Sequence, residues 1–173
     1  KVCVVTGAAR GIGAEVARSL ARAGARVAAL DRGPGSCASL CAEIEEAGGE
    51  ALAFDVDVTD AAGMKAVATA VEAAFGPADV LVNNAAVIAP GSLIDVTPDD
   101  WERVMAVNVT GALICAQVFA AQMLAQGRGA MVHIGSLAGV AAQPNSGAYG
   151  VSKAGLLMLS QVLALELGPR GIR

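Results

Sequence analysis

Tyr149 and Lys153 are the residues of this sequence whose types and spacing best suit proton transfer. They are four residues apart in a stretch with helical periodicity, so both side chains project from one face of the helix. A phenol is a poor base at neutral pH because it titrates at about 10. A neighbouring ammonium lowers the pKa of a phenol by stabilising its phenolate, so Lys153 would let Tyr149 act as a general acid or base.

Ser136 is the candidate partner of this pair. It follows an apolar segment, Ala130–Ile134, that reads as the fifth strand, so it would emerge at the carboxyl end of that strand. Its hydroxyl could hold and polarise the oxygen of a substrate. A Tyr-x-x-x-Lys spacing alone is common by chance and usually marks a surface contact. Tyr149, however, is the only tyrosine in the chain.

A glycine-rich turn separates the first predicted strand, Val2–Val5, from the first predicted helix, Ile12–Ala23. Gly7 permits a sharp turn, Gly11 lets backbone approach a pyrophosphate, and Gly13 lets the helix pack on the strand. The free N–H groups at the helix start favour phosphate. In this strand–turn–helix context the pattern predicts dinucleotide binding rather than an ordinary turn.

Asp31 ends the next predicted strand, 18 residues after Gly13. Its carboxylate can accept hydrogen bonds from the adenosine ribose hydroxyls and would repel a 2′-phosphate, which favours NAD over NADP. Arg10 and Arg32 flank the same position and could instead hold that phosphate, or could be solvated surface charges. The prediction is NAD, with NADP less favoured.

Strand and helix patterns alternate along the chain and predict parallel pairing with right-handed crossovers. We expect one Rossmann-like doubly wound α/β domain over residues 1–173, a parallel sheet between two helical layers. Gly171–Arg173 reads as the start of a sixth strand, so a C-terminal part of the fold is expected to be missing. Besides those above, the predicted elements are strands Arg26–Asp31, Ala51–Phe54 and Asp79–Val82, and helices from a Ser36 cap to Ala47, Ala61–Phe75, Pro98–Gln126 (bent at Gly111) and Ser146–Leu167.

The bulk composition argues against two classes of partner. The chain is 55% hydrophobic with a net charge of −4 and lacks a basic tract, which disfavours nucleic acid and anionic membranes. No apolar run approaches the about 20 residues needed to cross a bilayer. No signal-peptide pattern is present, and we expect a cytoplasmic protein.

Cys37 and Cys41 are four residues apart, but further metal ligands are lacking nearby, so no metal site is predicted.

Taken in order, these motifs together with Asn83-Asn84-Ala85-Ala86 and Asn108 resemble the short-chain dehydrogenase/reductase family over essentially the whole chain. The resemblance implies that Tyr149 is the general acid/base and Ser136 the partner of the substrate oxygen. Lys153 would be both the pKa modulator and a ribose ligand. Asn108 would hold a water for proton relay, although on spacing alone it could equally satisfy a local carbonyl. The implied cofactor-binding residues are Gly7, Arg10, Gly11, Ile12, Gly13, Asp31, Arg32, Asp57, Val58, Asn84, Ala85, Ala86, Tyr149 and Lys153.

The family motif usually ends in Gly where this chain has Ala86, whose methyl group narrows the space beside a nicotinamide. The leading prediction is an oxidoreductase that transfers hydride between NAD(H) and a secondary alcohol or ketone. An NADPH-dependent 3-oxoacyl-thioester (acyl carrier protein) reductase would share all of these motifs. A non-catalytic nucleotide-binding scaffold is the alternative of another class. The resemblance also suggests a homodimer or homotetramer formed through the two long helices, although small residues there would pack equally well inside a monomer.

Overall fold

The computed structural model describes residues 1–173 and contains one five-stranded parallel sheet. Its strands are β1 (Val2–Thr6), β2 (Arg26–Asp31), β3 (Glu50–Asp55), β4 (Val80–Asn83) and β5 (Ala130–His133). Their order in the sheet is β3-β2-β1-β4-β5. This confirms the Rossmann-like prediction. The chain moves outward from β1 in one direction and then resumes at β4 on the other side. The carboxyl ends of β1 and β4 therefore flank the switch point, where sheets of this kind bind ligands.

Helices cover both faces of the sheet. Alternate residues of β1 enter different cores. Val4 packs on the side of the helices Ala61–Phe75 and Ala112–Gln126, and Val5 packs on the side of the helices Gly11–Arg22 and Ala38–Glu46. This alternation follows from the two-residue period of a strand and gives three layers. The helices are α1 (Gly11–Arg22), α2 (Ala38–Glu46), α3 (Ala61–Phe75), α4 (Pro98–Met105), α5 (Ala112–Gln126) and α6 (Gly147–Leu167), with 3₁₀ turns at Leu137–Gly139 and Gly168–Arg170.

One local expectation from the sequence was wrong, and another gained detail. Ser36 does not cap α2: Cys37 is the N-cap residue, without a side-chain hydrogen bond, and the Ser36 hydroxyl is buried with no hydrogen-bond partner. The long helix predicted over Pro98–Gln126 is interrupted near Gly111: a π-helix, Ala106–Gly111, joins α4 to α5. A Cβ on Gly111 would lie 2.6 Å from Val58 Cγ2, so the glycine permits close packing there.

The expectation that no segment is long and apolar enough to cross a membrane was also wrong as stated. The helical segments Pro98–Gln126 and Gly147–Arg170 are long enough, and each contains an 18-residue stretch that is sufficiently apolar, with mean hydropathies of 1.8 and 1.3. Length and composition do not distinguish a span from a core helix, and Phe119 and Met123 of α5 are completely buried against the sheet. Hydropathy alone is therefore weak evidence of a membrane span.

Strand β5 lies at the edge of the sheet. Ile172 forms a single parallel bridge with Gly129, and Met131 N donates to Arg173 O at 2.8 Å. The last residues of the chain thus pair with this edge, as expected for the start of a sixth strand.

Candidate active site

The glycine turn after β1 has the geometry that its sequence predicts. Gly7 and Gly11 adopt φ values of 65° and 58°, in the left-handed region that favours glycine. Gly13 is in a helical conformation and is required for another reason. A Cβ at this position would overlap the carbonyl oxygen of Gly7 and lie 2.5 Å from Asn84 Nδ2. The first turn of α1 has no side-chain cap, so its N–H groups are available to an anion.

Thr6 and Asn84 hold this turn against the end of β4. Asn84 Nδ2 donates to the carbonyl oxygens of Thr6 (3.0 Å) and Gly7 (2.9 Å). Thr6 Oγ1 accepts from the backbone N–H groups of Asn84 and Ala85, both at 3.1 Å. The sequence predicted that Asn84 lines the cofactor cleft. It did not predict that Asn84 and Thr6 clamp the turn, because their partners are more than 70 residues apart in the chain.

A cleft of about 610 Å³ opens above this turn at the switch point of the sheet. Its lining combines the glycine turn, whose backbone N–H groups can bind phosphate, with two carboxylates that can accept from ribose hydroxyls and with apolar side chains. This combination suits a dinucleotide. A Cβ on Gly7 would lie 2.8 Å from Ala85 Cα, so the turn and the end of β4 touch directly. Of the predicted cofactor residues, the cleft is lined by Gly7, Arg10, Gly11, Ile12, Asp31, Arg32, Asp57, Val58, Asn84, Ala85 and Ala86. Gly13 lies beneath the turn, and Tyr149 and Lys153 lie outside this lining.

Charges of both signs meet at one end of the cleft. Asp31 accepts from the backbone N–H of Ala9 (2.9 Å) and of Arg32 (2.7 Å) through different carboxylate oxygens. The Arg32 guanidinium lies 3.7 Å from Asp57 Oδ2. Burial acts to raise the pKa of Asp57, but hydrogen bonds from Thr59 and the Arg32 charge outweigh it and lower that pKa. Asp57 therefore stays ionised and partly neutralises Arg32.

The catalytic candidates on α6 stand one helical turn apart. Lys153 is only 3% exposed, and its ammonium donates to the carbonyl oxygen of Ile134 at 2.7 Å. The same ammonium lies 5.7 Å from the centroid of the Tyr149 ring. Burial lowers the pKa of Lys153, since desolvation penalises its charged form. The strand end that precedes Ser136 thus also anchors Lys153.

Ser136 begins the 3₁₀ turn Leu137–Gly139, and its Oγ accepts from Ala138 N at 3.2 Å. This turn packs directly on α6. A Cβ on Gly139 would lie 2.6 Å from the carbonyl carbon of Lys153, and one on Gly150 would lie 3.1 Å from Ala138 O. The turn that carries Ser136 is therefore held against the turn that carries Tyr149 and Lys153. Glycines at 139 and 150 had not been singled out from the sequence.

Asn108 lies in the π-helix and is 1% exposed. Its Oδ1 accepts from Val87 N (2.8 Å), and its Nδ2 donates to Val87 O and to Ser152 Oγ, both at 2.9 Å. These partners are remote in sequence, so the side chain does not satisfy a local carbonyl of its own helix. Because both amide N–H donors are engaged, a relay water would have to bind another atom of Asn108. The role of Ser152 was missed, although it directly precedes Lys153.

Comparisons with known proteins agree with this geometry. A family profile described as "short chain dehydrogenase" matches residues 1–173. The chain is 40% identical to D-threitol dehydrogenase of Mycolicibacterium smegmatis, covering all of this chain and 66% of that protein. It is 42% identical to L-rhamnose 1-dehydrogenase (NAD(P)(+)) of Azotobacter vinelandii, covering all of this chain and 70% of that protein. The chain thus spans about two thirds of the length of these curated relatives.

A solved structure of another protein has the same fold. A metagenomic short-chain oxidoreductase in complex with NADP superposes with a TM-score of 0.95 at 41% identity, over 100% of this chain and 79% of that one. The sequence profile, the relatives and the shared fold cover every element that builds the cleft. The chain belongs to the short-chain dehydrogenase family.

Proposed function

We propose that this protein is an oxidoreductase that transfers hydride between NAD(H) and a secondary alcohol or ketone. The observation that carries the proposal is the environment of Lys153. Its buried ammonium donates to Ile134 O, and no carboxylate lies within ion-pair distance. Burial of an uncompensated charge is unfavourable, so it suggests a functional requirement. In the proposal, the buried charge of Lys153 is required because it acts on the phenol of Tyr149, whose ring centroid is 5.7 Å away.

In the proposed reaction, the residues of this chain handle the proton of the alcohol. The phenolate of Tyr149 accepts that proton during oxidation, and the phenol returns it during reduction. The Ser136 hydroxyl holds the substrate oxygen, and the Lys153 charge favours the phenolate. The nicotinamide, when bound, would supply the acceptor for the hydride that leaves the carbinol carbon, while the proton leaves the hydroxyl oxygen on that carbon. The glycine turn and the α1 amides hold the phosphates, and Asp31 holds the adenosine ribose.

The decisive test is the Tyr149→Phe variant of the intact protein. D-Threitol, L-rhamnose and cyclohexanol serve as probe alcohols with NAD⁺, and NADH binding is followed by nicotinamide fluorescence. We expect turnover to fall by about 10²- to 10⁴-fold because the acid/base group is lost. NADH binding persists, since the ring remains. A variant that oxidises the alcohols at the wild-type rate would refute the role of Tyr149. A wild-type protein that binds NADH without turnover would favour the non-catalytic scaffold.

The preference for NAD rests on the charges in the cleft. Asp31 presents a carboxylate fixed by two backbone amides, and Arg32 is partly neutralised by Asp57. A 2′-phosphate would meet the Asp31 charge, whereas ribose hydroxyls would donate to it. We expect NADH to bind at least tenfold more tightly than NADPH, about 1.4 kcal/mol, and Asp31→Ala to remove that difference.

The opposite preference would contradict this assignment. Tighter binding of NADPH to the wild-type protein would mean that Arg10 and Arg32 dominate the adenosine end of the cleft. The NADPH-dependent 3-oxoacyl-thioester reductase would then become the better proposal. One similar structure contains NADP and one relative is named for both cofactors, so the comparison of NADH with NADPH is a necessary measurement.

The substrate class proposed is a small uncharged alcohol. The segments that follow β4 and β5 expose apolar side chains beside the catalytic turn, with Ile88 60%, Leu137 67% and Val140 75% exposed. The relatives named above are dehydrogenases of a tetritol and of a deoxy sugar, which are neutral molecules. Comparing cyclohexanol with a hydroxy acid of similar size tests the proposal.

Self-association through α6 is proposed as well. Val151, Met158, Val162 and Leu165 form an apolar stripe on the outer face of this helix, and Leu165 is 79% exposed. Apolar helix faces of this size are usually covered by a partner, and a second copy of the chain would give a dimer or tetramer. Light scattering of the intact protein should show an oligomer that Leu165→Glu dissociates. A monomeric wild-type protein would contradict the proposal.

A further inference from the structure

Ser152 has a buried hydroxyl inside the catalytic turn of α6. It lies between Tyr149 and Lys153 and is completely buried. Its Oγ donates to Tyr149 O at 2.7 Å, a bond that helical serines commonly form with the preceding turn. The second bond is the informative one, because Oγ also accepts from Asn108 Nδ2 at 2.9 Å across 44 residues of sequence. The hydroxyl is therefore both oriented by α6 and bonded to another segment.

Asn108 extends this connection to the end of β4. Its amide forms a two-point contact with the backbone of Val87 and uses its remaining N–H for Ser152. Asn108 and Ser152 are both buried, so water cannot replace these bonds. The chain of bonds Val87–Asn108–Ser152–Tyr149 thus links the segment after β4, the π-helix and the helix that carries the acid/base pair.

We propose that Ser152 is a positioning residue, whose hydroxyl fixes the Tyr149–Lys153 turn of α6 against Asn108. This inference rests on the proposed function. Ser152 touches neither substrate nor cofactor in the proposal and acts through the backbone of Tyr149. Without the hydroxyl, the Asn108 N–H is left buried and unpaired, because its other acceptor, Val87 O, is already bonded. The amide or the helix turn must then move to regain a partner.

Such a movement acts directly on the catalytic groups. Lys153 is anchored to Ile134 O by one hydrogen bond, and Gly139 packs against its backbone. A shift of the turn therefore changes the position of the Tyr149 ring relative to Lys153 and Ser136. Misplacement of a reacting group by about 1 Å can lower a rate by about 100-fold.

The test compares three variants of the intact protein, Ser152→Ala, Ser152→Thr and Ser160→Ala. Ser152→Thr keeps the hydroxyl, and Ser160→Ala makes the same deletion two turns further along α6, where no side-chain hydrogen bond is lost. The kinetic constants are measured with NAD⁺ and the probe alcohol that the wild-type protein oxidises fastest. Circular dichroism and NADH fluorescence verify that each variant is folded and binds cofactor.

We expect Ser152→Ala to lower kcat by about 10- to 100-fold with little change in KM, and to move the pH profile of kcat toward alkaline pH. The profile moves because the Tyr149 ring is displaced relative to Lys153, whose own anchor on Ile134 O is retained. Ser152→Thr should restore both the rate and the profile, and Ser160→Ala should match the wild type.

Three results would overturn the inference. Wild-type kcat in Ser152→Ala would show that the hydroxyl positions nothing. A lower kcat with an unmoved pH profile, or one that Ser152→Thr does not restore, would indicate general loss of packing. An inactive wild-type protein would overturn both this inference and the proposed function, whereas an active wild type with an unaffected Ser152→Ala would overturn this inference alone.

Discussion

Replacing Gly13 by alanine tests whether the glycine turn is built by close packing. A Cβ at this position would overlap Gly7 O and lie 2.5 Å from Asn84 Nδ2. Neither atom can yield easily, because Gly7 O is backbone and Asn84 Nδ2 is bonded to Thr6 O and Gly7 O. Overpacking of this kind costs about 1–3 kcal/mol. Disturbing one Asn84 hydrogen bond costs about 1 kcal/mol more.

Alanine favours the helix by up to about 1 kcal/mol over glycine, which offsets part of this loss. The net expectation is a free energy of unfolding lower by about 1–3 kcal/mol. At about 2–4 °C per kcal/mol, Tm should fall by about 2–12 °C. Displacement of the turn also moves the amides that face the phosphates, so the Kd of NADH should rise at least tenfold, about 1.4 kcal/mol.

Gly155→Ala is the matched control. Gly155 is also helical, but a Cβ there would meet only Val109 side-chain atoms at ordinary distances of 3.5 and 3.9 Å. This variant should be as stable as the wild type or slightly more stable, with unchanged NADH binding. Urea unfolding and nicotinamide fluorescence of both variants provide the comparison. If Gly13→Ala matched Gly155→Ala in both measurements, the packing argument for the turn would be wrong.

Three further predictions concern the core and the ionisable groups. Phe119 is fully buried between the sheet and α3, so Phe119→Ala should lower the free energy of unfolding in urea by about 3–5 kcal/mol; a loss below 1 kcal/mol would contradict this. Burial raises the pKa of Cys37 to about 11 and that of Cys115 to about 12, so Ellman's reagent at pH 8 should modify these thiols only on unfolding, and rapid modification of the native protein would oppose this view. Desolvation lowers the pKa of His133 in the folded state, so the unfolded state binds more protons below about pH 6.5 and stability falls as the pH drops below that value. His133→Asn should therefore flatten the decline of Tm between about pH 6.5 and 5, and an unchanged slope would contradict the assignment.

The order of elements and the cofactor turn were largely predictable from the sequence. Alternating strand and helix patterns determine a parallel doubly wound sheet, and the boundaries agree to within one or two residues for most elements. Gly7 and Gly11 were recognisable because their conformations, with positive φ, are local properties of the turn. The helix predicted to begin at Pro98 does begin there, and Oγ1 of the preceding Thr97 accepts from Asp100 N. Signals of this type depend only on neighbouring residues.

Predictions from local sequence signals were less reliable where tertiary contacts compete with those signals. Ser36 has a good capping side chain, yet the N-cap position is occupied by Cys37, which packs with Leu40 and Ile44 in the core. The π-helix at Ala106–Gly111 was not predicted. Most of its residues have low helix propensity, but low propensity does not specify a π-helix. It arises where Gly111 packs on Val58 and Asn108 reaches the backbone of Val87.

The sequence by itself determined which residues could do chemistry: the Tyr149–Lys153 spacing, the position of Ser136 after a strand, and the glycine turn. The tertiary structure decided how these residues are held. Lys153 is anchored on Ile134 O, Asn84 clamps the glycine turn, and Ser152 bonds Asn108. These contacts join segments between 19 and 77 residues apart, and a buried polar group takes whichever partner the fold brings within reach. The spacing of residues in the chain shows which side chains could do chemistry. The contacts that hold those side chains exist only once the sheet has assembled.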